Sequence, residues 1–206
     1  MAIDLEGTGL ALLGHCQLNQ ADGLPHDAGT LLLLGPDEPA FWPLFKASPE
    51  RNDGQPDPLD RWSKRIVGQL AIAANGIAYY PFGDAPFHPF YSWALRSGNA
   101  WPSPIGFLVH ADRGLFVSYR GAIWVPETHA ATDGTAPCET CAAPCKKACP
   151  VGAFDAGYDV DACRAHIATP QGTSCITQGC AARRACPVGA GIREPAQSAF
   201  HMEAFR

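Results

Sequence analysis

Apolar positions in the first two-thirds of the chain fall into short runs and one long stripe. Residues 31–34 form a continuous apolar run closed by Gly35 and Pro36, which predicts a strand buried on both faces. Leu59, Trp62, Ile66, Val67, Leu70 and Ala74 recur at helical spacing and predict a helix over residues 58–75. Asp57 stands where it can cap that helix, Pro58 suits its first position, Asp60 its first turn, and Gly76 its end. Residues 77–82 then read as a strand, and residues 89–97, bounded by Pro89 and Gly98, as a second helix. Residues 38–46 suit one or two helical turns interrupted by Pro43, and residues 3–13 a short Leu-rich strand. Residues 105–110 and 115–119 flank Ala-Asp-Arg-Gly, a hairpin signal that residues 122–125 continue. The pattern predicts an α+β module: a small sheet with a hairpin at one side and helices packed against it.

Beyond residue 137 this patterning gives way to cysteines. Eight of the nine fall between Cys138 and Cys186, and only Cys16 stands apart, as a small buried hydrophobe would. Pro126-Glu-Thr-His-Ala-Ala-Thr-Asp-Gly-Thr-Ala-Pro137 precedes them with the composition of a linker. The expected organisation is a module over residues 1–130, a linker over 131–137 and a cysteine-rich domain over 138–206. Residues 1–13 carry Asp4 and Glu6 without a basic start, unlike a signal peptide, and no apolar stretch approaches the roughly 20 residues of a membrane span. A cytoplasmic protein with no membrane partner is expected. In that compartment clustered thiols bind metal more readily than they form disulfides. Residues 1–130 carry 8 Lys and Arg against 13 Asp and Glu, while residues 131–206 carry 7 against 7, so a general nucleic-acid binder is not expected.

The spacing narrows the metal. Cys138-x2-Cys141-x3-Cys145-x3-Cys149-Pro150 places three thiols around one loop and a fourth, before proline, turned toward a second site, the logic of the bacterial ferredoxin run. Cys163, Cys175, Cys180 and Cys186-Pro187 follow with gaps of eleven, four and five residues, and the phrase Cys-Pro-Val-Gly-Ala occurs at both Cys149 and Cys186. Interleaved wiring predicts two [4Fe-4S] clusters, one on Cys138, Cys141, Cys145 and Cys186, the other on Cys149, Cys163, Cys175 and Cys180. Zinc on four thiolates has similar local spacing and is the competing metal, although nothing in tetrahedral zinc binding calls for a proline after the last ligand. Lys146, Lys147, Arg183 and Arg184 among the ligands read as solvated surface. No Gly-rich phosphate loop, nucleophile triad or HExxH motif occurs.

Residues 138–191 resemble the two-cluster ferredoxin domain of epoxyqueuosine reductases, with one residue more between the second and third cysteines than the family uses. The stretch from His110-Ala-Asp-Arg-Gly to Arg120-Gly-Ala-Ile-Trp-Val-Pro-Glu127 is similar to a hairpin those reductases share with CblC-type cobalamin-processing proteins. Asp57-Pro-Leu-Asp60 and Gly76-Ile-Ala-Tyr-Tyr80 resemble CblC-type segments as well. The resemblance implies a nitroreductase/flavin-reductase-like sheet-and-helix module joined to a bacterial-ferredoxin-like domain, with bound cobalamin or FMN. It also implies a redox partner protein as electron donor. Epoxyqueuosine reductases are longer and carry an acidic catalytic residue in their N-terminal half; no segment here matches it, although a tRNA substrate stays open under the resemblance.

Residues 79–101 are dense in aromatics and prolines, as the wall of a site for a flat ring would be, though an ordinary core explains each residue singly. The candidate cofactor-binding residues are Phe82, His88, Trp101 and Arg120, and no catalytic residue stands out. Two function classes follow: an iron–sulfur electron-transfer protein reducing a corrinoid or flavin, and a non-enzymatic ferredoxin-type protein whose N-terminal module only docks a partner. A zinc-stabilised interaction domain is the third.

Overall fold

A computed structural model describes residues 3–206 and is of mixed α/β architecture. Residues 1 and 2 lie outside the described residues. The strands are β1 (Leu10–Gln17), β2 (Thr30–Pro36), β3 (Ile77–Tyr79), β4 (Ala100–Pro102), β5 (Leu108–His110) and β6 (Gly121–Val125). The helices are α1 (Phe41–Ala47), α2 (Pro49–Asn52), α3 (Pro58–Ala73), α4 (Phe90–Arg96), α5 (Val160–Ile167), α6 (Thr173–Gln178), α7 (Ala181–Arg184) and α8 (Pro195–Phe205). The chain divides into two units. One runs to Ala100 and resumes over Ser118–Gly134; the other joins Trp101–Val117 to Thr135–Arg206. The chain therefore crosses between units inside the predicted linker and also at two earlier points, on either side of residues 101–117.

In the first unit an antiparallel sheet has the order β1-β2-β6-β3. Every residue of β2 is buried, so both faces of the sheet are covered at its centre, as the unbroken apolar run requires. Strand β1 starts at Leu10 rather than near residue 3, and a register shift between Leu12 and Gly14 lets it bend along β2. Helix α3 buries Leu59, Trp62, Val67 and Leu70 and leaves Ile72 79% exposed. Asp57 does not cap it with its side chain: the residue is left-handed, at φ 50°, and only its carbonyl accepts from Arg61 N. Pro43 lies in the first turn of α1, where a missing N–H costs no helical bond. Strand β3 ends at Tyr79, short of the expected residue 82.

The predicted hairpin does not form. Residues 115–119 pair with nothing in the sheet manner; a single bridge joins His110 to Gly114, and β5 pairs with β4 instead. His110 Nδ1 accepts from the N–H groups of Asp112 and Arg113, at 3.0 and 3.3 Å, and closes a tight loop. The carbonyls that a hairpin would pair go to arginines: Leu115 O accepts from Arg183 and Phe116 O from Arg193, the latter at 2.8 Å. Side-chain donors from later in the chain thus replace the strand ladder.

The first unit also buries a polar knot. Arg96 donates to both carboxylate oxygens of Asp22 at 2.8 Å, and Trp93 Nε1 donates to one of them at 2.9 Å. Burial alone would raise the Asp22 pKa, yet these donors and Asn19 N–H hold it below the usual carboxylate range. Cys16 sits beside the knot, its thiol pushed up by burial, its sulfur 3.7 Å from Arg96 Nη2.

Truncating Phe45, fully buried and packed edge-on to Trp62 at 6.1 Å, is expected to lower the unfolding free energy by roughly 3–5 kcal/mol, while Ile72→Ala changes it by under about 0.5 kcal/mol. Denaturant titrations followed by tryptophan fluorescence measure both. Because Asp22 has a depressed folded pKa, its contribution is complete above the ordinary carboxylate pKa and drains as pH falls through the lower folded value. Thermal melts across that acid range should show a slope that Asp22→Asn flattens.

Candidate metal centre

The second unit has few aliphatic residues and builds its core partly from sulfur. Ile105, Val109 and Leu115 from the 101–117 segment are buried with Cys145, Ala182 and Cys186; Trp101, Phe107, Cys138, Phe154, Cys180 and Val188 pack around them. None of the nine cysteines is in a disulfide. The two Cys-Pro-Val-Gly phrases both end on a left-handed glycine, Gly152 at φ 61° and Gly189 at φ 68°, which turns the chain sharply after each cysteine. Asp159 caps α5 by accepting from Ala162 N at 2.9 Å, and α5 carries Cys163. The long gap from Cys163 to Cys175 is filled by the rest of α5, one 3₁₀ turn and the start of α6.

Electrostatic neighbours sort the eight thiols into two groups. The Cys138 thiol is pushed up by burial and then by Cys141, Cys186 and Cys145. Burial raises Cys145 too, with Cys186 and Cys141 adding to it and backbone N–H groups opposing. In the other group burial raises Cys163, a hydrogen bond from the Tyr158 hydroxyl opposes it, and Cys180, Cys149 and Cys175 raise it further. Cys175 is raised by burial first, with Cys180 and Cys149 contributing and the Ala181 N–H and Arg184 opposing. Cys186, last in sequence, joins the first three thiols, and Cys149 joins the later ones. Backbone donors already point at sulfur: Ala143 N to Cys141 and Ala153 N to Cys149, each at 3.4 Å.

Four thiolates gathered in a half-buried place repel one another, so they ionise together only around a compensating cation. Among the described residues no three His, Cys, Asp or Glu side chains converge as ligands of one metal ion. A zinc ion would draw four sulfurs to about 2.3 Å from a single centre. A four-iron cube takes one thiolate at each of four separate irons, so the residues present supply the ligand type and number for either.

The candidate cofactor residues are brought together only in part. Phe82 and His88 line a recess of about 110 Å³ with Tyr79, Tyr80, Asp84 and Phe87. Arg120 holds its guanidinium 5.6 Å from the Phe82 ring and 3.4 Å from Asp60 Oδ1. Burial raises the Asp60 pKa against the pull of Arg120. His88 packs on Tyr79 and Trp93, ring centroids at 5.0 and 5.8 Å. Trp101 belongs to the second unit and does not line this recess. Tyr158 escaped the sequence reading, and Arg183 is not the solvated cation expected there, since its guanidinium lies over Phe107 at 4.6 Å. The only sequence signal for Tyr158 was an aromatic five residues before a candidate ligand.

Gly114 tests how tightly the segment 101–117 is tied to this unit. A Cβ there would collide with Val188 O and come within 3.1 Å of Cys186 Sγ, at φ 54°. Gly114→Ala is expected to cost roughly 1–3 kcal/mol and reduce metal uptake, whereas Gly106→Ala, with open space around it, costs about 1 kcal/mol of backbone strain. Melting temperature and metal content of the two variants make the comparison.

No family model, curated protein or solved structure matches this chain.

Proposed function

We propose that the chain is an iron–sulfur electron-transfer protein that holds two [4Fe-4S] clusters and relays electrons to a corrinoid or flavin. The observation that carries this is the gathering of eight thiols into two groups of four, with Cys149 and Cys186 exchanged between the runs. The reading treats the cysteine-rich unit as bacterial-ferredoxin-like and the α+β unit as a nitroreductase/flavin-reductase-like module. Bound clusters supply one-electron carriers in a low-dielectric setting. Cys138, Cys141, Cys145 and Cys186 would hold one and Cys149, Cys163, Cys175 and Cys180 the other. The N–H groups of Ala143 and Ala153 donate to ligand sulfur and favour its negative charge. A one-electron donor protein of the cytoplasm supplies the electrons. Among the described residues no helix is long and apolar enough to cross a membrane.

One observation favours a second reading, in which the N-terminal unit only docks a partner. The recess beside Phe82 and His88 encloses about 110 Å³, below the roughly 300–1,000 Å³ of ordinary small-molecule sites. Anaerobic titration with FMN and with cobalamin separates the two: saturable binding supports delivery to a cofactor, and no binding supports docking.

Anaerobically purified protein is expected to contain about eight iron and eight sulfide per chain, with broad visible charge-transfer absorption, falling to about half in Cys163→Ser. Elemental and sulfide analysis checks it, and zinc in place of iron, or no metal at all, would overturn the proposal.

A further inference from the structure

The phrase Cys-Pro-Val-Gly occurs twice, and its two copies are covered differently. After Cys149 the turn stands open: Val151 is 42% exposed, and the atoms nearest a Cβ on Gly152 belong to Asp155, three residues on. After Cys186 the main chain of residues 110–114 lies against the turn. A Cβ on Gly114 would collide with Val188 O and stand 3.1 Å from Cys186 Sγ, and one on Gly189 would stand 2.8 Å from Arg113 O. Two glycines thus let two stretches of backbone close on each other, and Cys186 is buried. Both copies make the same left-handed turn, at φ 61° and 68°, so the turn itself does not call for the cover.

One imidazole shapes the covering loop. His110 is buried, and its Nδ1 accepts from the N–H groups of Asp112 and Arg113 at 3.0 and 3.3 Å. A ring nitrogen that accepts carries no proton, so the hydrogen of the neutral ring sits on Nε2. The main chains of His110 and Gly114 exchange two further bonds, each at 3.0 Å. Together these bonds direct Gly114 and the Arg113 carbonyl onto the Cys186 turn. Val109 and Leu115, on either side of the loop, are buried in the cluster that holds Cys145 and Cys186. The loop therefore continues an apolar wall.

Resting on the reading of Cys186 as a cluster ligand, we propose that His110 is a positioning residue: its Nδ1 holds residues 110–114 over the Cys186 sulfur, keeps water from that side, and so lowers the reduction potential of the cluster that Cys186 helps to hold. His110 acts through Gly114 and Arg113. The shell around a metal site controls solvent access and local dielectric, and through them the potential. Reduction by a one-electron donor makes a cluster one unit more negative, and water stabilises that added charge. Excluding water therefore moves the potential down.

Anaerobic holoprotein is tested in two ways: hydrogen exchange at single amides by fragmentation mass spectrometry, and a dithionite titration followed by electron paramagnetic resonance. The Asp112 and Arg113 amides of the wild type are expected to exchange slowly, and fast exchange there overturns the inference. In His110→Asn the side-chain oxygen stands in for Nδ1, so slow exchange and both midpoints should persist. His110→Gln carries its acceptor one bond farther out; the two amides should exchange faster, and one midpoint should rise while the other stays. Slow amides in His110→Gln, or fast amides with neither midpoint raised and iron unchanged, overturn the inference and leave the two-cluster reading standing. Should His110→Gln lose iron, His110→Asn decides: midpoints at the wild-type values support the inference, and displaced ones overturn it. A wild type without iron overturns the reading beneath it instead.

Discussion

The cost of ionising crowded thiols in a half-buried space sets the terms for the cysteine-rich unit. Cys138, Cys145, Cys163 and Cys175 are each made harder to ionise by burial first and by neighbouring thiols next. Without a compensating cation these cysteines stay neutral thiols and pack as small apolar side chains. Sulfurs placed this way become favourable when something cationic binds among them. The turns after Cys149 and Cys186, the cap on α5 and the backbone N–H groups aimed at sulfur all serve to hold the thiols in that relation.

The same constraint accounts for residues 101–117 joining the cysteine-rich unit. Eight thiols in a short stretch leave little room for aliphatic side chains, so the unit takes Ile105, Val109 and Leu115 from far upstream. Taking them in means taking in their backbone, and its carbonyls need donors. Arg183 and Arg193 supply these to Leu115 and Phe116 while laying their guanidinium groups over Phe107 and Phe116. Each arginine thus satisfies a main-chain acceptor and covers an aromatic face.

Periodicity made the first unit legible where burial was one-sided or total. The stripe on α3 and the unbroken run of β2 appear as expected, because both depend on neighbours within a few residues. The reading failed where the deciding partner lies far away. Residues 115–119 carry the alternation of a strand, yet donors some seventy residues later claim their carbonyls. Asp57 has the identity of a cap, but its left-handed backbone turns the side chain from that task. Tyr158 could be assigned only once folding brought its hydroxyl to Cys163, and Arg183 misled because a guanidinium among small residues looks solvated until Phe107 is seen beneath it. The cysteine spacing raises the expectation of thiol-held metal, while the irregular gap before Cys175 became intelligible only as the end of α5 and the start of α6.

The two units therefore draw stability from different sources. The first buries Leu31, Leu33, Leu34, Phe41, Phe45 and Trp62 around its own sheet, and its ionic knot at Asp22 and Arg96 is internally satisfied. The second counts Cys145, Cys175 and Cys186 among its buried residues, so part of its interior is polarisable sulfur whose charge state depends on what it holds. Binding that fixes those sulfurs also fixes the unit's core, because the free energy of binding and of folding are then the same quantity. A chain built this way would couple the integrity of its cysteine-rich unit to what that unit binds, while the other unit keeps a core of its own.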